Sequence, residues 1–382
     1  MAQTEVIHSD MKVSRSISRM TRLLLVFAAG FFLAQPSPEA IIFYATGDPE
    51  TNTSQPSGDL ADSGWQWTGL WGSFTGTAIA AHYFITAGHV GGQVGGVLTL
   101  NGVAHRTTRV FHPPKGDLAL WQVREAFTNW APLITQTSEE GLAAVSFGRG
   151  TQRGSAIITT VRQTRTNGWF WGSSDGRLRW GQNTIDQVAS YTNDGTNDLL
   201  VLNFNSQGGA NECTLSSGDS GGGIFVQSDS GWELAGINAL VDGPFNTSTN
   251  GSGFQGAVFD ARGLFLKTDT GWEALPTFGP ENPASFYGLR LSLFKNWITG
   301  VTDSPLVLPP ELLRASAPEG PYTVDSTIIP DTSQQNFVIS LPSLASFFRI
   351  RDDQSTWTLS ASVATNNTLV LHYYATANTA SR

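Results

Sequence analysis

Short apolar runs alternate with turn-forming residues along most of the chain. Such runs occur at residues 76–79, 199–202 and 233–237, and we expect them to be core strands because strands of this length are bounded by turn signals. The 41 glycines and 18 prolines among 382 residues fit many strands joined by turns. A helical period appears later, with apolar residues at Leu289, Leu293, Phe294, Trp297 and Ile298. The pattern therefore predicts an all-β protein with one short helix, at residues 289–299.

The N-terminus has the composition of a secretion signal. Basic residues from Lys12 to Arg22 precede a 12-residue, almost wholly apolar run at residues 23–34. This run is shorter than the roughly 20 residues that a membrane-spanning helix needs, and it has the length of a signal hydrophobic region. We expect residues 1–40 to be a signal peptide that is cleaved near Ala34 or Ala40. The mature chain would then contain no membrane span.

Net charge and cysteine content indicate which partners the chain can bind and which compartment it occupies. A formal net charge of −9 argues against binding to nucleic acid, whose phosphates would repel it. Cys213 is the one cysteine, so the chain forms no internal disulfide, and we expect this thiol to be a small buried hydrophobe. Secretion without disulfides indicates a bacterial protein that is secreted or held in the periplasm or cell envelope. No clear cluster of metal ligands is present, and we expect neither a metal nor a cofactor.

One turn in the chain is suited to covalent catalysis. Residues 218–223 read Gly-Asp-Ser-Gly-Gly-Gly and run directly into an apolar strand. The glycines allow a tight turn in which the N–H groups of Gly218 and Ser220 point at one position, where they could hold an oxyanion. The same letters also fit the nucleophile elbow of α/β-hydrolases and an ordinary glycine-rich turn. The choice between these readings depends on a base to activate Ser220.

A candidate base and a candidate orienting acid precede this turn. His89 ends an apolar run in which Ala87 and Gly88 leave room for an imidazole, whereas His82 and His112 are predicted to lie in loops. Asp117 opens another apolar run, where its carboxylate could accept the Nδ1–H of a histidine. In α/β-hydrolases the histidine follows the serine. Here the histidine after Ser220 is the distant His372, so chain order argues against that fold.

Three motifs, in this order, resemble those of the chymotrypsin-like (trypsin-like) serine proteases of the bacterial secreted type. They are Thr-Ala-Gly-His at residues 86–89, Asp-Leu-Ala-Leu at residues 117–120 and Gly-Asp-Ser-Gly-Gly at residues 218–222. The resemblance covers about residues 41–300. It implies that Ser220 is the nucleophile, His89 the general base and Asp117 the residue that orients it. It further implies that the N–H groups of Gly218 and Ser220 form the oxyanion hole.

The resemblance also implies the architecture. We expect two antiparallel β-barrels of the chymotrypsin type, at about residues 41–140 and 141–288, with the site in the cleft between them and helix 289–299 at the end. Residues 301–320 contain four prolines and are predicted to be a linker. Residues 321–382 return to strand patterns and predict a small C-terminal β-module. Its expected partner is the cell envelope or another protein.

Substrate preference and activation are also implied by the resemblance. Thr214 would lie near the floor of the pocket for the substrate side chain, with Ala239 and Val241 on its wall. Because no acid occupies the floor position, we expect an uncharged or apolar side chain there rather than lysine or arginine. Ala239 also stands where a serine would support the triad aspartate. If signal removal followed Ala40, the new amino group of Ile41 would be placed to pair with Asp219.

The function predicted from the sequence is a secreted serine endopeptidase that cleaves protein or peptide substrates through an acyl-enzyme. The alternative is a non-catalytic, protease-like protein used for binding or adhesion. Such relatives usually lose a triad residue, whereas this chain keeps all three. The catalytic interpretation is therefore preferred.

Overall fold

The computed structural model describes residues 41–136, 138–190, 198–325, 327–331, 334–340, 346–351, 357–364 and 368–375. The predicted signal peptide and its cleavage positions lie outside the described residues. Strands dominate the described chain and form two closed six-stranded barrels. The predicted all-β fold with two antiparallel barrels is confirmed. No helix in the described ranges is long and apolar enough to cross a membrane.

The first barrel follows a short strand, β1 (Ile42–Phe43). Its six strands are β2 (Thr68–Trp71), β3 (Phe74–Ala80), β4 (Tyr83–Ala87), β5 (Val97–Leu100), β6 (Val103–Phe111) and β7 (Leu118–Val123). They pair in the order β2-β3-β4-β7-β6-β5, and β5 closes the barrel on β2. Short 3₁₀ turns occupy Gly58–Leu60, Trp65–Trp67 and Gly88–Val90.

Strands β4 and β7 are buried on both faces, which is why they read as continuous apolar runs. Successive side chains of a strand point to opposite faces. Phe84 and Trp121 therefore fill the first barrel, while Ile85 and Leu120 join the larger cluster that is shared with the second barrel. This shared core holds the two barrels against each other and sets the cleft at their junction.

The second barrel and its additions contain thirteen strands. They are β8 (Ala143–Gly148), β9 (Arg153–Thr159), β10 (Arg165–Trp171), β11 (Arg179–Ala189), β12 (Leu199–Asn203), β13 (Cys213–Thr214), β14 (Gly223–Ser228), β15 (Gly231–Val241), β16 (Phe245–Asn246), β17 (Gly256–Val258), β18 (Phe265–Thr268), β19 (Gly271–Ala274) and β20 (Ser285–Arg290). The barrel closes in the order β11-β12-β20-β15-β14-β8. The remaining strands form two three-stranded sheets, β17-β10-β9 and β16-β18-β19, and the pair β1-β13.

The helix begins later than its sequence pattern indicates. Leu289 and Arg290 are extended at the end of β20, where Leu289 pairs with Leu199 of β12 and Arg290 with Gly236 of β15. A 3₁₀ turn at Leu291–Leu293 follows, and helix α1 spans Lys295–Thr302. Pairing with two neighbouring strands therefore outweighs the helical spacing of the first apolar residue.

The C-terminal region forms two small sheets. Its strands are β21 (Glu311–Ala315), β22 (Thr323–Val324), β23 (Asn336–Ser340), β24 (Phe347–Arg351), β25 (Trp357–Ala364) and β26 (Thr368–Ala375), arranged as β22-β21-β24 and β23-β26-β25. Strand β21 lies inside the segment that was predicted to be a linker, because it pairs with β24. Glu311 of this strand also pairs with Arg124, just beyond β7, at 3.4 Å.

Candidate active site

Strand pairing brings His89 and Asp117 side by side. Ala87 at the end of β4 pairs with Leu118 at the start of β7, so the residues just beyond these ends are neighbours. The N–H of Gly88 donates to the carbonyl oxygen of Asp117 at 2.8 Å. A Cβ on Gly88 would lie 2.8 Å from the Asp117 carboxylate, closer than real contacts of this kind. The small residue before His89 is therefore what lets the imidazole and the carboxylate meet.

Two hydrogen bonds connect the predicted triad. Asp117 Oδ2 lies 2.5 Å from His89 Nδ1, and His89 Nε2 lies 2.8 Å from Ser220 Oγ. Asp117 Oδ1 also accepts the backbone N–H of His89 at 2.7 Å, so the carboxylate fixes both the ring and its main chain. With a proton on Nδ1, the lone pair of Nε2 faces the serine hydroxyl. This arrangement can remove the proton of Ser220 as the hydroxyl attacks.

The turn that carries Ser220 is attached to strand β15. Gly221 donates to the carbonyl oxygen of Asn238 at 2.9 Å, and Asn238 donates to that of Gly222 at 2.8 Å. Gly221 has a φ of 80°, and a Cβ there would overlap the Thr86 hydroxyl. Glycine is therefore required at this position.

The two predicted oxyanion donors belong to the same turn. Gly218 has a φ of 95°, a conformation that favours glycine. Within the described ranges, the backbone N–H groups of Gly218 and Ser220 donate to no protein acceptor. Both groups are therefore available to a substrate oxygen.

The carboxylate of Asp219 is fully buried and holds this turn against β8. One oxygen accepts the N–H of Gly150 at 2.6 Å, and the other accepts the N–H and the hydroxyl of Ser216 at 2.8 and 3.1 Å. A Cβ on Gly148 or Gly150 would overlap this carboxylate. Sequence reasoning identified Asp219 but missed these two glycines. The signal was present in the Gly-Arg-Gly of residues 148–150, which begins at the last residue of β8.

The three predicted pocket residues lie on strands that flank the serine turn. Thr214 is buried in β13, Ala239 is buried in β15, and Val241 is half-buried at the end of β15. Sequence reasoning missed the next residue, Asp242, which is a buried acid. Its oxygens accept the Tyr287 hydroxyl at 2.7 Å and the N–H of Ser285 at 2.8 Å. The predicted preference for an uncharged or apolar substrate side chain stays a prediction.

Two ionisable groups lie at the start of the segment that leads to Ser220. Burial raises the pKa of the Glu212 carboxyl to about 7, although the N–H of Asn205, which donates to it, opposes the shift. Burial also raises the pKa of Cys213 well above its usual range. This thiol stays protonated and is packed with Ile41 and Phe43, so it is a core residue as predicted. Across the described ranges, no group of three or more His, Cys, Asp or Glu side chains could hold a metal ion.

Comparison with known proteins gives a distant structural similarity. No protein-family model and no curated protein matches the chain. Among solved structures, the chain is similar to neuropsin, a serine protease expressed in the limbic system of mouse brain. The two share 15% sequence identity with a TM-score of 0.39, over 63% of this chain and 95% of the neuropsin chain. The distances within the site itself therefore carry the functional inference.

Proposed function

We propose that this chain is a secreted serine endopeptidase with Ser220 as nucleophile, His89 as general base and Asp117 as the residue that orients it. The observation that supports the proposal is the pair of hydrogen bonds, 2.5 and 2.8 Å long, from Asp117 through His89 to Ser220. A nucleophile, a base and a third group that orients the base are the arrangement by which serine is activated. These residues come from both barrels and meet at their junction.

The proposed reaction proceeds in two halves. Ser220 Oγ attacks the peptide carbonyl carbon while His89 Nε2 takes the hydroxyl proton, and Asp117 stabilises the imidazolium that forms. The N–H groups of Gly218 and Ser220 bind the oxyanion, and each such donor contributes about 3 kcal/mol to the transition state. His89 then protonates the leaving amine as the C–N bond breaks, which leaves an ester on Ser220. Water, deprotonated by His89, hydrolyses that ester and restores the hydroxyl.

The alternative, a protease-like protein that only binds, has less support. A binding scaffold has no need for a base that is hydrogen-bonded to a serine, nor for two N–H groups without protein acceptors beside it. These features have a use in acyl transfer. No feature of the described residues favours the binding role over catalysis.

Export and activation are part of the proposal. We propose that residues 1–40 direct the chain out of the cytoplasm of a bacterium and that the mature chain begins at Ile41. In support, Ile41 is buried, and its neighbour Ile42 pairs with Thr214, two residues before Ser216. Ser216 is hydrogen-bonded to Asp219, the residue with which a new amino group at Ile41 is proposed to pair. The C-terminal β-module is proposed to hold the enzyme at the cell envelope or on another protein.

The test compares the wild type with Ser220→Ala after expression with the N-terminal segment intact. Protein recovered outside the cytoplasm is treated with a fluorophosphonate probe, assayed on a peptide library and sequenced from its N-terminus. We expect labelling and cleavage by the wild type, loss of both in Ser220→Ala, and a start at Ile41. The control is Ser230→Ala, an exposed serine in the β14–β15 turn. Labelling and cleavage that survive in Ser220→Ala would contradict the assignment.

A further inference from the structure

Arg149 extends from the second barrel to the first across the cleft. It directly follows β8, and its Nε–H donates to the carbonyl oxygen of Gly176 at 2.8 Å. Its Nη1 donates to the carbonyl oxygens of Gly72 at 3.0 Å and Phe74 at 3.5 Å, both at the β2–β3 turn of the first barrel. The guanidinium is therefore held in place by three neutral acceptors.

No acid balances the charge of Arg149 in the part of the chain that the structure describes. Its hydrogen bonds go to carbonyl oxygens, and Nη2 donates to no described group. Neighbouring arginines differ, because Arg177 pairs with Glu50 and Arg179 pairs with Asp175. Partial burial lowers the pKa of Arg149 through desolvation, yet an arginine keeps its charge at neutral pH. A half-buried cation with free N–H groups is suited to an anionic ligand.

The residues next to this cation, and those that hold it, are linked to the turn that carries the proposed nucleophile. The next residue, Gly150, donates to Asp219, which directly precedes Ser220. On the other side of the cleft, Arg149 contacts Phe74, and a Cβ on Gly221 would lie 2.5 Å from the carbonyl oxygen of the following residue, Thr75. Arg149 is thus connected through one or two residues to both neighbours of Ser220.

The proton path indicates which part of a substrate would reach Arg149. In the proposed reaction, His89 of the first barrel protonates the leaving amine, so the leaving segment lies along that barrel. Gly72 and Phe74, which hold Arg149, belong to the same barrel. The predicted pocket for the other side of the scissile bond lies on β13 and on β15 of the second barrel, the strands that flank the serine turn.

We propose that Arg149 binds a substrate carboxylate on the leaving-group side of the scissile bond. The carboxylate belongs either to an Asp or Glu side chain within the first few residues after that bond or to the C-terminus of a short leaving peptide. This inference rests on the proposed function. The protein carries a net charge of −9, so the overall field opposes an acidic substrate, and the preference depends on this local cation.

The experiment measures, within each variant, the ratio of kcat/KM for two peptides that differ only in one carboxylate. Differences in overall activity between variants cancel in this ratio. Pairs of peptides from the cleavage library are compared, with Glu or Gln at each of the three positions after the cleaved bond, each with a free and an amidated C-terminus. For the wild type we expect kcat/KM to be about tenfold higher for the peptide that carries the bound carboxylate, either Glu over Gln or the free over the amidated C-terminus. This is the effect of one charge-assisted hydrogen bond in a partly exposed site. In Arg149→Gln the ratio falls to about one, and in Arg149→Glu it falls below one. The matched control, Arg177→Gln, keeps the wild-type ratio.

The outcomes distinguish a side-chain carboxylate from a C-terminal one, and a failure of the Arg149 role from a failure of the proposed protease function. A preference for the free over the amidated C-terminus assigns the site to the C-terminal carboxylate, and a preference for Glu over Gln among amidated peptides assigns it to the side chain. A wild type that is labelled at Ser220, cleaves Glu and Gln peptides equally and also cleaves free and amidated peptides equally overturns the role of Arg149 alone. The same conclusion follows if folded Arg149→Gln keeps the wild-type ratio. A wild type that is neither labelled nor active overturns the proposed function together with this inference.

Discussion

Replacing Asp219 with asparagine tests how the turn that carries Ser220 is held. The carboxylate is fully buried, and both of its oxygens accept hydrogen bonds from N–H groups, one from Gly150 and the other from Ser216. An asparagine side chain has the same shape but only one oxygen, and its NH₂ group can only donate. Whichever way the amide is turned, one buried N–H group meets another donor.

The size of the effect follows from that mismatch. A buried donor left without an acceptor costs about 1–3 kcal/mol, and loss of the charge weakens the remaining bonds, so we expect a total near 3 kcal/mol. For a domain of this size, that lowers the melting temperature by roughly 6–12 °C. The turn also shifts relative to Gly150, which misdirects the N–H of Gly218, and loss of one oxyanion donor slows acylation by about 100- to 1000-fold.

Thermal unfolding and the rate of fluorophosphonate labelling measure the two effects separately. Asp229→Asn is the matched control, because Asp229 is exposed in the β14–β15 turn and the same chemical change there removes no buried acceptor. We expect the control to match the wild type in both measurements. An Asp219→Asn variant with an unchanged melting temperature and an unchanged labelling rate would show that these hydrogen bonds do not hold the turn.

Two further predictions concern Asp117 and Glu212. Asp117→Asn removes one of the two acceptors that bind the ring and main chain of His89, so kcat/KM on a library peptide should fall roughly 10⁴-fold; wild-type kcat/KM in this variant would contradict the role of the acid. Folded Glu212 has a pKa of about 7, against an ordinary value of 4.5, so the folded chain holds a proton that the unfolded chain releases between these pH values. The contribution of Glu212 to stability should therefore be complete below pH 4.5 and be lost, by up to about 3 kcal/mol, as pH rises through 7. Between pH 5 and pH 8 the melting temperature of Glu212→Gln should therefore fall less than that of the wild type. An equal fall in melting temperature for the two proteins would contradict this prediction.

Local chemistry accounts for what could be predicted before the fold was known. A serine between glycines, a histidine after small residues and an acid before an apolar strand are each readable over a few neighbouring positions. Alternation and turn signals identified the β class in the same way, since strand and turn preferences act over short distances. The thiol of Cys213 was predicted to be buried for a similar reason, because a lone cysteine in a strand-rich chain usually packs as a hydrophobe.

Other features depend on contacts between residues that are distant along the chain. The partners of Asp219 include Gly150, which is 69 positions away, and Arg149 reaches Gly72 at a separation of 77. Leu289 is part of a strand because β12 and β15 pair with its backbone, although its spacing is helical. Strand β21 forms in a proline-rich segment because β24 lies beside it. The residue types therefore determine which groups can react, whereas barrel closure determines which of them meet. The physical reason is that hydrogen bonds and buried contacts across the cleft join segments that are far apart along the chain, and a local sequence pattern does not indicate which distant segment will be the partner.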